Sequence, residues 1–483
     1  MSREQAVLGT LILYKLVLIA IGVWANRRTR STADFYLAGR GLGPWVAAIS
    51  ASASSSSAWS LLGVSGAAYA WGFSAFWLFP AVLSGYLFNW LWLAPRLRRL
   101  SLADNTITLT EWLVGADNPK RQMTSTFSTL IIVFSFSFYI ASQFQASGDT
   151  FATTFGLDIQ TSILIGGAII LFYTLLGGFW AVSITDTLQG LLMVTSALVL
   201  PIMALWEVGG PAELWRTLGQ SQPENYFSLV GPNAGFAAVG FVAGTLGIGM
   251  GYPGQPHVVN RFMALRDEAA LNKAKVIALS WGTIVFLGML VVGWCGRALF
   301  PVTDNNEQIL FSIANNLFPP AIAGVMIAAI LSAIMSTADS QLLVASSSLS
   351  HDLRQERAET ESIWISRTAV TGICLVSVML ALFAPEKIFS RVLFAWSALG
   401  SAFGPALIVK VAGYRIRHQW LLASLAAGFF LTVFFNGLET QPPGKWPERL
   451  VPFAMALLFA WLGRDKSVPR EPVLRSENAD PAR

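Results

Sequence analysis

Charge is scarce in this chain. Of its 483 residues only 12% are Asp, Glu, Lys or Arg, against 54% hydrophobic, and soluble domains carry about twice that charged fraction. Cysteine is nearly missing: Cys295 and Cys374 stand alone, which excludes a disulfide framework and a thiolate metal site. Both fall inside apolar runs and read as packing residues. With three histidines there is no HExxH or Cys/His metal spacing, and neither a Gly-rich phosphate loop nor a GxSxG turn occurs. The chain is therefore not read as an enzyme. The short alternating segments of a transmembrane barrel are absent too. A net charge of +5 could suggest nucleic acid, but the basic residues are spread over alternate loops, so no nucleic-acid partner is expected.

Apolar helix is what the chain has in quantity. Runs of about 18 residues or more recur along it, and mean hydropathy is +0.57. They predict thirteen membrane spans at approximately 7–26, 42–72, 74–95, 123–152, 159–177, 180–206, 235–263, 272–299, 318–349, 363–384, 389–412, 418–437 and 449–463. The expected fold class is an all-α polytopic membrane protein in a lipid bilayer. Aromatic residues make up 12%, including 18 Trp, which suits interfacial belts.

Lys and Arg mark every second turn: Arg27 to Arg40, Arg96 to Arg121, Arg261 to Lys275, Arg354 to Arg367, Arg415 with Arg417, and the tail from Arg464. About 24 of the 32 basic residues fall on one side by this reading. The bias places the N-terminus outside and the C-terminus in the cytoplasm of a cell (inner) membrane. The first run lacks a basic n-region and is followed by Arg27, Arg28 and Arg30, so it reads as a retained helix and not a cleaved signal peptide. One transmembrane domain over 1–463 is expected, with a disordered cytoplasmic tail at 464–483. The loop from Val208 to Gly235 is the main outer excursion and is expected to carry a short helix.

Two spans are interrupted. The second holds Ser52-Ala53-Ser54-Ser55-Ser56-Ser57, and the seventh packs Gly244, Gly247, Gly249, Gly251, Pro253, Gly254 and Pro256 into thirteen residues, too many helix breakers for a straight helix. Each opens a five-helix block, about 42–206 and about 235–412. Interrupted helices at matching positions of two halves point to an inverted-repeat transporter with its site at the midplane.

In the ninth span Ala333, Ser336, Thr337 and Ser340 share one helix face at i, i+3, i+4, i+7 spacing, with Asp339 beside it. A carboxylate at that depth costs roughly 2.5–3.5 kcal/mol on insertion scales, so it must face protein or water. Hydroxyls on this face and carbonyls freed at the Ser-rich break would together give a hard cation an oxygen cage. Asp186 reads either as a helix cap or as part of a cation pathway shared with Asp339, Ser336 and Ser340. Tyr139, Gln143, Gln145, Tyr252, Gln255, Trp396 and Ser397 offer rings and polar handles to a small solute. His257 has no ligand-spaced partner and reads as structural.

Several motifs resemble the sodium/solute symporter family, most closely its sodium/proline branch. They are Leu37-Ala38-Gly39-Arg40 with Leu42-Gly43-Pro44, Gly177-Gly178-Phe179 with Thr185-Asp186-Thr187, and Gly251-Tyr252 with Gly254-Gln255-Pro256-His257. Arg261-Phe262-Met263-Ala264, Met335-Ser336-Thr337 with Gln341-Leu342-Leu343-Val344, and Ala402-Phe403-Gly404-Pro405 continue the series. The resemblance implies about thirteen helices around a five-plus-five inverted-repeat core of the leucine-transporter type, and sodium-coupled uptake by alternating access. It implies sodium on backbone oxygens of Ala53, Ser56 and Ala333 and hydroxyls of Ser336 and Thr337. A second sodium, held by some members, would fall on Asp186, Ser336, Asp339 and Ser340. Ser57, Tyr139, Tyr252 and Pro256 match residues implicated around proline, with Gln255 and Trp396 added from the chain's own pattern, and Arg40 matches an inner arginine important for coupling. The departures are Ser55 where the branch has Asp, Ala58 for Gly, Ile248 for Trp, and Asp339 where a hydroxyl is common.

The expected function is sodium-coupled import of a small polar organic solute, an amino acid such as proline, with the monomer as the working unit and Na+ as the co-transported ion. Two alternatives stay open at this point: a proton-coupled carrier of a related solute (pantothenate, a sugar or a carboxylate), and a transporter-like solute sensor.

Overall fold

The computed structural model describes residues 3–26, 36–116, 118–176, 178–353, 363–384 and 387–465. Arg27, Arg28, Arg30, Gly177, Arg354 and the tail from residue 466 lie outside the described residues. α1 (Arg3–Asn26) opens the chain, followed by a helix in two pieces, α2 (Pro44–Ser55) and α3 (Val64–Trp71). α4 (Leu78–Leu87) runs through a wide turn into α5 (Ala94–Ala103), and the short α6 (Leu109–Val114) follows. Three long helices come next: α7 (Arg121–Phe155), α8 (Ile159–Leu176) and α9 (Phe179–Val208). The expected excursion carries α10 (Pro211–Ser221).

The second half opens in the same way, with the pieces α11 (Gly235–Gly247) and α12 (Pro256–Met263). α13 (Glu268–Leu299), α14 (Ile309–Leu317), α15 (Pro320–Ser347), α16 (Ile363–Phe383) and α17 (Ile388–Val411) complete it. α18 (His418–Asn436) and α19 (Trp446–Leu462) end the described chain, tied at their bases by β1 (Arg415–Ile416) antiparallel to β2 (Arg464–Asp465). Helices fall in each of the thirteen ranges expected, and ten stretches among the described residues are long and apolar enough to cross a membrane.

Both expected interruptions are present. At the first, Ser56 leaves helical geometry (φ −108°, ψ 80°), and a wide turn at Trp59–Gly63 precedes α3. At the second, the tight turn Ile248–Gly254 contains Pro253, whose missing N–H and ring bulk forbid a continuous helix. Pro44 and Pro256 then start α2 and α12 at positions where a missing N–H costs nothing.

α15 and α17 form the centre. α15 is buried all round from Met326 to Ser347, as expected of a helix with no polar stripe facing solvent. Glycines let backbones meet around this centre. A Cβ on Gly400 would stand 2.4 Å from the Gly251 Cα, so α17 touches the second interruption backbone to backbone. Gly428 does the same for α18, where a Cβ would lie 2.1 Å from the Ser401 carbonyl oxygen. The ends are fixed by local chemistry: Thr108 Oγ1 accepts from the Glu111 N–H (3.0 Å), the Ile107 N–H donates to the Glu111 carboxylate (2.9 Å), and Thr108 donates to Asp352 (2.7 Å). This capping box pins α6 beneath the end of α15.

Gly400→Ala is expected to destabilise the protein by about 1–3 kcal/mol through overpacking against a backbone that cannot move away. Thermal unfolding in detergent checks it, and an unchanged midpoint would contradict the contact.

Candidate ion and solute site

α2 and α15 meet at the first interruption. The Ser336 hydroxyl lies 3.2 Å from the Ala53 carbonyl oxygen and 3.3 Å from that of Ala333, and Thr337 Oγ1 donates to the Ser54 carbonyl (3.0 Å). The Ser56 N–H reaches the same Ala53 oxygen (3.2 Å). Thus Ala53, Ser56, Ala333, Ser336 and Thr337 come together, each fully buried. The break matters chemically because it ends α2 at this depth and leaves its last carbonyls to be satisfied by hydroxyls from another helix. An all-oxygen set of carbonyls and hydroxyls is what a hard monovalent cation requires.

One helical turn further along both helices lies a second layer. Asp186 Oδ2 accepts from Ser50 (2.8 Å), Ser54 (3.0 Å) and Arg261 Nη2 (2.9 Å). Arg261 also donates to Ser340 (2.6 Å), to Ser50 (3.1 Å) and to the His257 carbonyl, and its guanidinium lies 5.1 Å from the centre of the Phe179 ring. Ser54 and Ser340 lie 3.0 Å apart. Ser54 joins the layers, since its carbonyl belongs to the first and its hydroxyl to the second.

Two sequence readings change here. Asp186 lies two turns into α9 and is engaged sideways in an ion pair, so it is not a cap. Arg261, counted above with a basic turn, is 1% exposed and sits in the core. A signal was available: four apolar residues, Phe262 to Leu265, separate it from Arg266, and it falls one turn after His257 on α12. Both oxygens of Asp339, and Oδ1 of Asp186, have no hydrogen-bond partner among the described residues.

The solute residues gather around the two interruptions. Tyr139 donates to Ser57 (3.3 Å), the Trp59 N–H donates to Ser57 (3.2 Å), and the Ala58 N–H donates to Gln143 (3.1 Å). The Tyr252 ring stands edge-on to Tyr86 (5.2 Å) and Trp396 (4.7 Å). Gln255 Nε2 donates to the Trp396 and Gly251 carbonyls (2.9 and 3.1 Å), and the Trp396 indole donates to Ile248 (3.1 Å). The donors of Gln255 and Trp396 are thus used in holding the second interruption to α17. Pro256 begins α12 beside them. Sequence reasoning passed over Tyr86 and Asn89, polar at i and i+3 in an apolar span. Tyr86 lies 3.0 Å from Ser55, and Asn89 donates to the Tyr252 carbonyl (3.1 Å). The cavity among Ser52, Ser55, Tyr86, Asn89 and Tyr252 encloses about 10 Å³, room for about one water. Of the solute candidates, Tyr252 lines it.

Arg40 clamps the end of the bundle nearest the second layer. It donates to the Met263 carbonyl at the end of α12 (2.9 Å), to the Ser101 carbonyl (3.0 Å) and to the Thr106 carbonyl (2.6 Å). Ala38, Gly39 and Arg40 all have left-handed backbones (φ 50°, 56° and 55°). Leu42 then pairs with the same strip beyond α12, through Ala264 (3.1 Å) and Arg266 (3.0 Å).

Interrupted helices around a buried oxygen cage, in a bundle of membrane-crossing helices, define a multi-pass membrane transporter and not an enzyme. The comparisons agree. Residues 35–428 match the model of the sodium:solute symporter family. The sodium/proline symporter of Salmonella typhimurium is 35% identical over 442 residues, covering 89% of this chain and 87% of that protein. The osmoregulated proline transporter OpuE of Bacillus subtilis is 36% identical, covering 86% of each. Among solved structures, a Na+-coupled sialic acid symporter in a substrate-bound outward-open state superposes with a TM-score of 0.77 at 17% identity, covering 95% of this chain and 99% of that one. A nucleobase-cation-symport-1 family transporter in a closed conformation gives 0.56 at 14% identity, covering 90% and 93%.

The chain belongs to the sodium:solute symporter family. It has the leucine-transporter type of fold with its five-plus-five core, and sodium is its co-transported ion.

Asp186→Asn leaves the Arg261 charge buried without its counter-ion, a change that costs about 3–5 kcal/mol in comparable pairs. The double variant Asp186→Asn with Arg261→Gln is expected to regain part of that loss, read as detergent unfolding midpoints. Additive losses would show that the pair is not coupled.

Proposed function

We propose that this symporter imports proline with sodium held between α2 and α15. The observation that carries the reading is the Ser336 hydroxyl set between the carbonyls of Ala53 and Ala333, with Thr337 on the neighbouring carbonyl. In this reading sodium is held by the backbone oxygens of Ala53, Ser56 and Ala333 and by Ser336 and Thr337. As the ion enters, the two hydroxyls turn their protons away from the α2 carbonyls and present lone pairs to it. The ion draws the end of α2 onto α15, and the adjoining Ser57 with Tyr139 forms one wall of the solute pocket. Tyr252, Pro256 and Trp396, whose backbone carbonyl accepts from Gln255 and whose indole donates to Ile248, form the other.

Proline is favoured by the relatives that resemble the chain over most of its length, which are proline transporters. An apolar ring with a charged end also suits an aromatic cage with backbone polar groups at its edge. The two repeats are taken as 42–206 and 235–412, within a transmembrane domain of 1–463 that works as a monomer. The excess of basic residues on alternate turns orients the N-terminus outside and the C-terminus in the cytoplasm of the cell membrane. The Arg40 clamp then closes the cytoplasmic face and couples solute release to its opening. With that orientation each sodium entering contributes about 2.3 kcal/mol per 100 mV of inside-negative potential.

A second reading, that a proton accompanies the sodium, is favoured by Asp339, whose buried carboxyl has no hydrogen-bond partner among the described residues. Proline uptake into proteoliposomes under a sodium gradient, with and without an added pH gradient, decides between them. Uptake is expected with the sodium gradient and unchanged when a pH gradient is added to it, and stimulation by the added pH gradient would establish that a proton moves too.

Thr337→Ala is expected to raise the sodium concentration for half-maximal uptake about tenfold, equivalent to about 1.4 kcal/mol, with a smaller change in apparent proline affinity at saturating sodium. Equal uptake at limiting sodium would contradict the site.

A further inference from the structure

Away from the ion and solute residues, a groove of about 460 Å³ opens beside α1, within the roughly 300–1,000 Å³ of small-molecule sites. Leu8 and Ile12 of α1, Phe151 of α7, Phe172 of α8, and Leu331 and Met335 of the central α15 line it. Leu16 and Phe172 are each 59% exposed at its mouth, so in a bilayer the groove is open to lipid. Every lining side chain is apolar except Lys15.

Lys15 stands at the middle of the 24-residue α1, with about 17 Å of helix on either side. In a hydrocarbon core of about 30 Å that is too deep for its side chain to reach the interface. Its amine offers up to three donors, yet the partner it finds is the Met335 sulfur, a weak acceptor. Asp339, one turn beyond Met335, acts on Lys15 electrostatically, but neither of its oxygens accepts a hydrogen bond among the described residues. The neighbouring Tyr14 is satisfied: its hydroxyl meets Ser332 at 2.5 Å and fixes α1 to α15. Lys15 is the polar group that this seam leaves under-used.

We propose that the groove binds one free long-chain fatty acid, with the carboxyl on the Lys15 nitrogen and the chain lying along the apolar walls. Depth selects this class of ligand. The phosphate of a phospholipid stays at the headgroup level, about 15 Å from the middle of the core. A carboxylic acid loses its charge by taking up a proton and so reaches that depth neutral. Carboxyl and amine together then carry no net charge, whether the shared proton sits on oxygen or on nitrogen. Each also gains the hydrogen-bond partner that hydrocarbon denies it.

The chain supplies fit and little preference, because lipid tails are as apolar as the groove. Selectivity therefore rests on the carboxyl, and an alcohol of the same length is a poorer ligand. None of the residues assigned to sodium or solute lines the groove, so the acid bears on the back of α15 from outside the transport path.

Palmitic acid carrying a mid-chain diazirine, photolysed with the purified protein in proline-free nanodiscs, tests the proposal. Mass spectrometry is expected to place the label on groove peptides containing Phe151, Leu331 or Met335. Excess palmitic acid is expected to suppress that labelling at least tenfold more effectively than hexadecanol. Lys15→Met, which keeps the bulk and removes the amine, is expected to lower it about tenfold, and Ala168→Trp to block it by filling the groove. No label in the groove would overturn the proposal. So would equal competition by hexadecanol or undiminished labelling of Lys15→Met, since the groove would then hold any lipid tail. Should either variant fail to give a single symmetric size-exclusion peak, the competition on the wild type decides.

Discussion

A break in a helix inside a membrane leaves carbonyl oxygens with no N–H to meet, and the low-dielectric surroundings make that costly. Much of the centre of this protein follows from how that cost is met. At the end of α2 the Ala53 and Ser54 oxygens are answered by Ser336 and Thr337, side chains of a helix that is itself buried on every side. A hydroxyl that donates to a carbonyl can, by rotating about its C–O bond, stand beside that carbonyl as a second acceptor. In the proposed sodium reading, the contact that satisfies the break without the ion would join its coordination shell. In that reading folding and ion binding would use the same atoms.

Much of this was legible in the sequence. The interruptions at Ser52–Ser57 and Gly244–Pro256 announced themselves by composition, because a serine run or a Gly/Pro cluster in apolar sequence works against an unbroken helix. The face formed by Ala333, Ser336, Thr337 and Ser340 followed from helical spacing alone. Arg261 did not follow. Its neighbours in sequence include Arg266, Lys273 and Lys275, and although the apolar residues after it hint at burial, the tertiary fold is what pairs it with Asp186 while the others stay in the turn and at the start of α13. The same limit applies to Gln255 and Trp396. Side chains with free donors look like solute ligands in sequence, and nothing local reveals that their N–H groups are directed to backbone carbonyls across the bundle.

The departures from the proline branch acquire a setting. Ser55 donates to the Ser52 carbonyl and meets Tyr86 (2.9 and 3.0 Å), so a neutral hydroxyl stands where a carboxylate is usual. Another carboxyl stands at Asp339 on α15, one residue before Ser340 and within electrostatic reach of Arg261.

The left-handed turn at Ala38–Arg40 has a consequence for how that end opens. Two side chains there hold a backbone that costs roughly 1–2 kcal/mol each relative to ordinary helix or extended chain, and the Arg40 fork with the Leu42 pairing keeps them in it. Once those bonds let go, the segment relaxes of its own accord. In the proposed coupling role of Arg40, part of the work of opening would already be stored in the left-handed backbone of the closed segment.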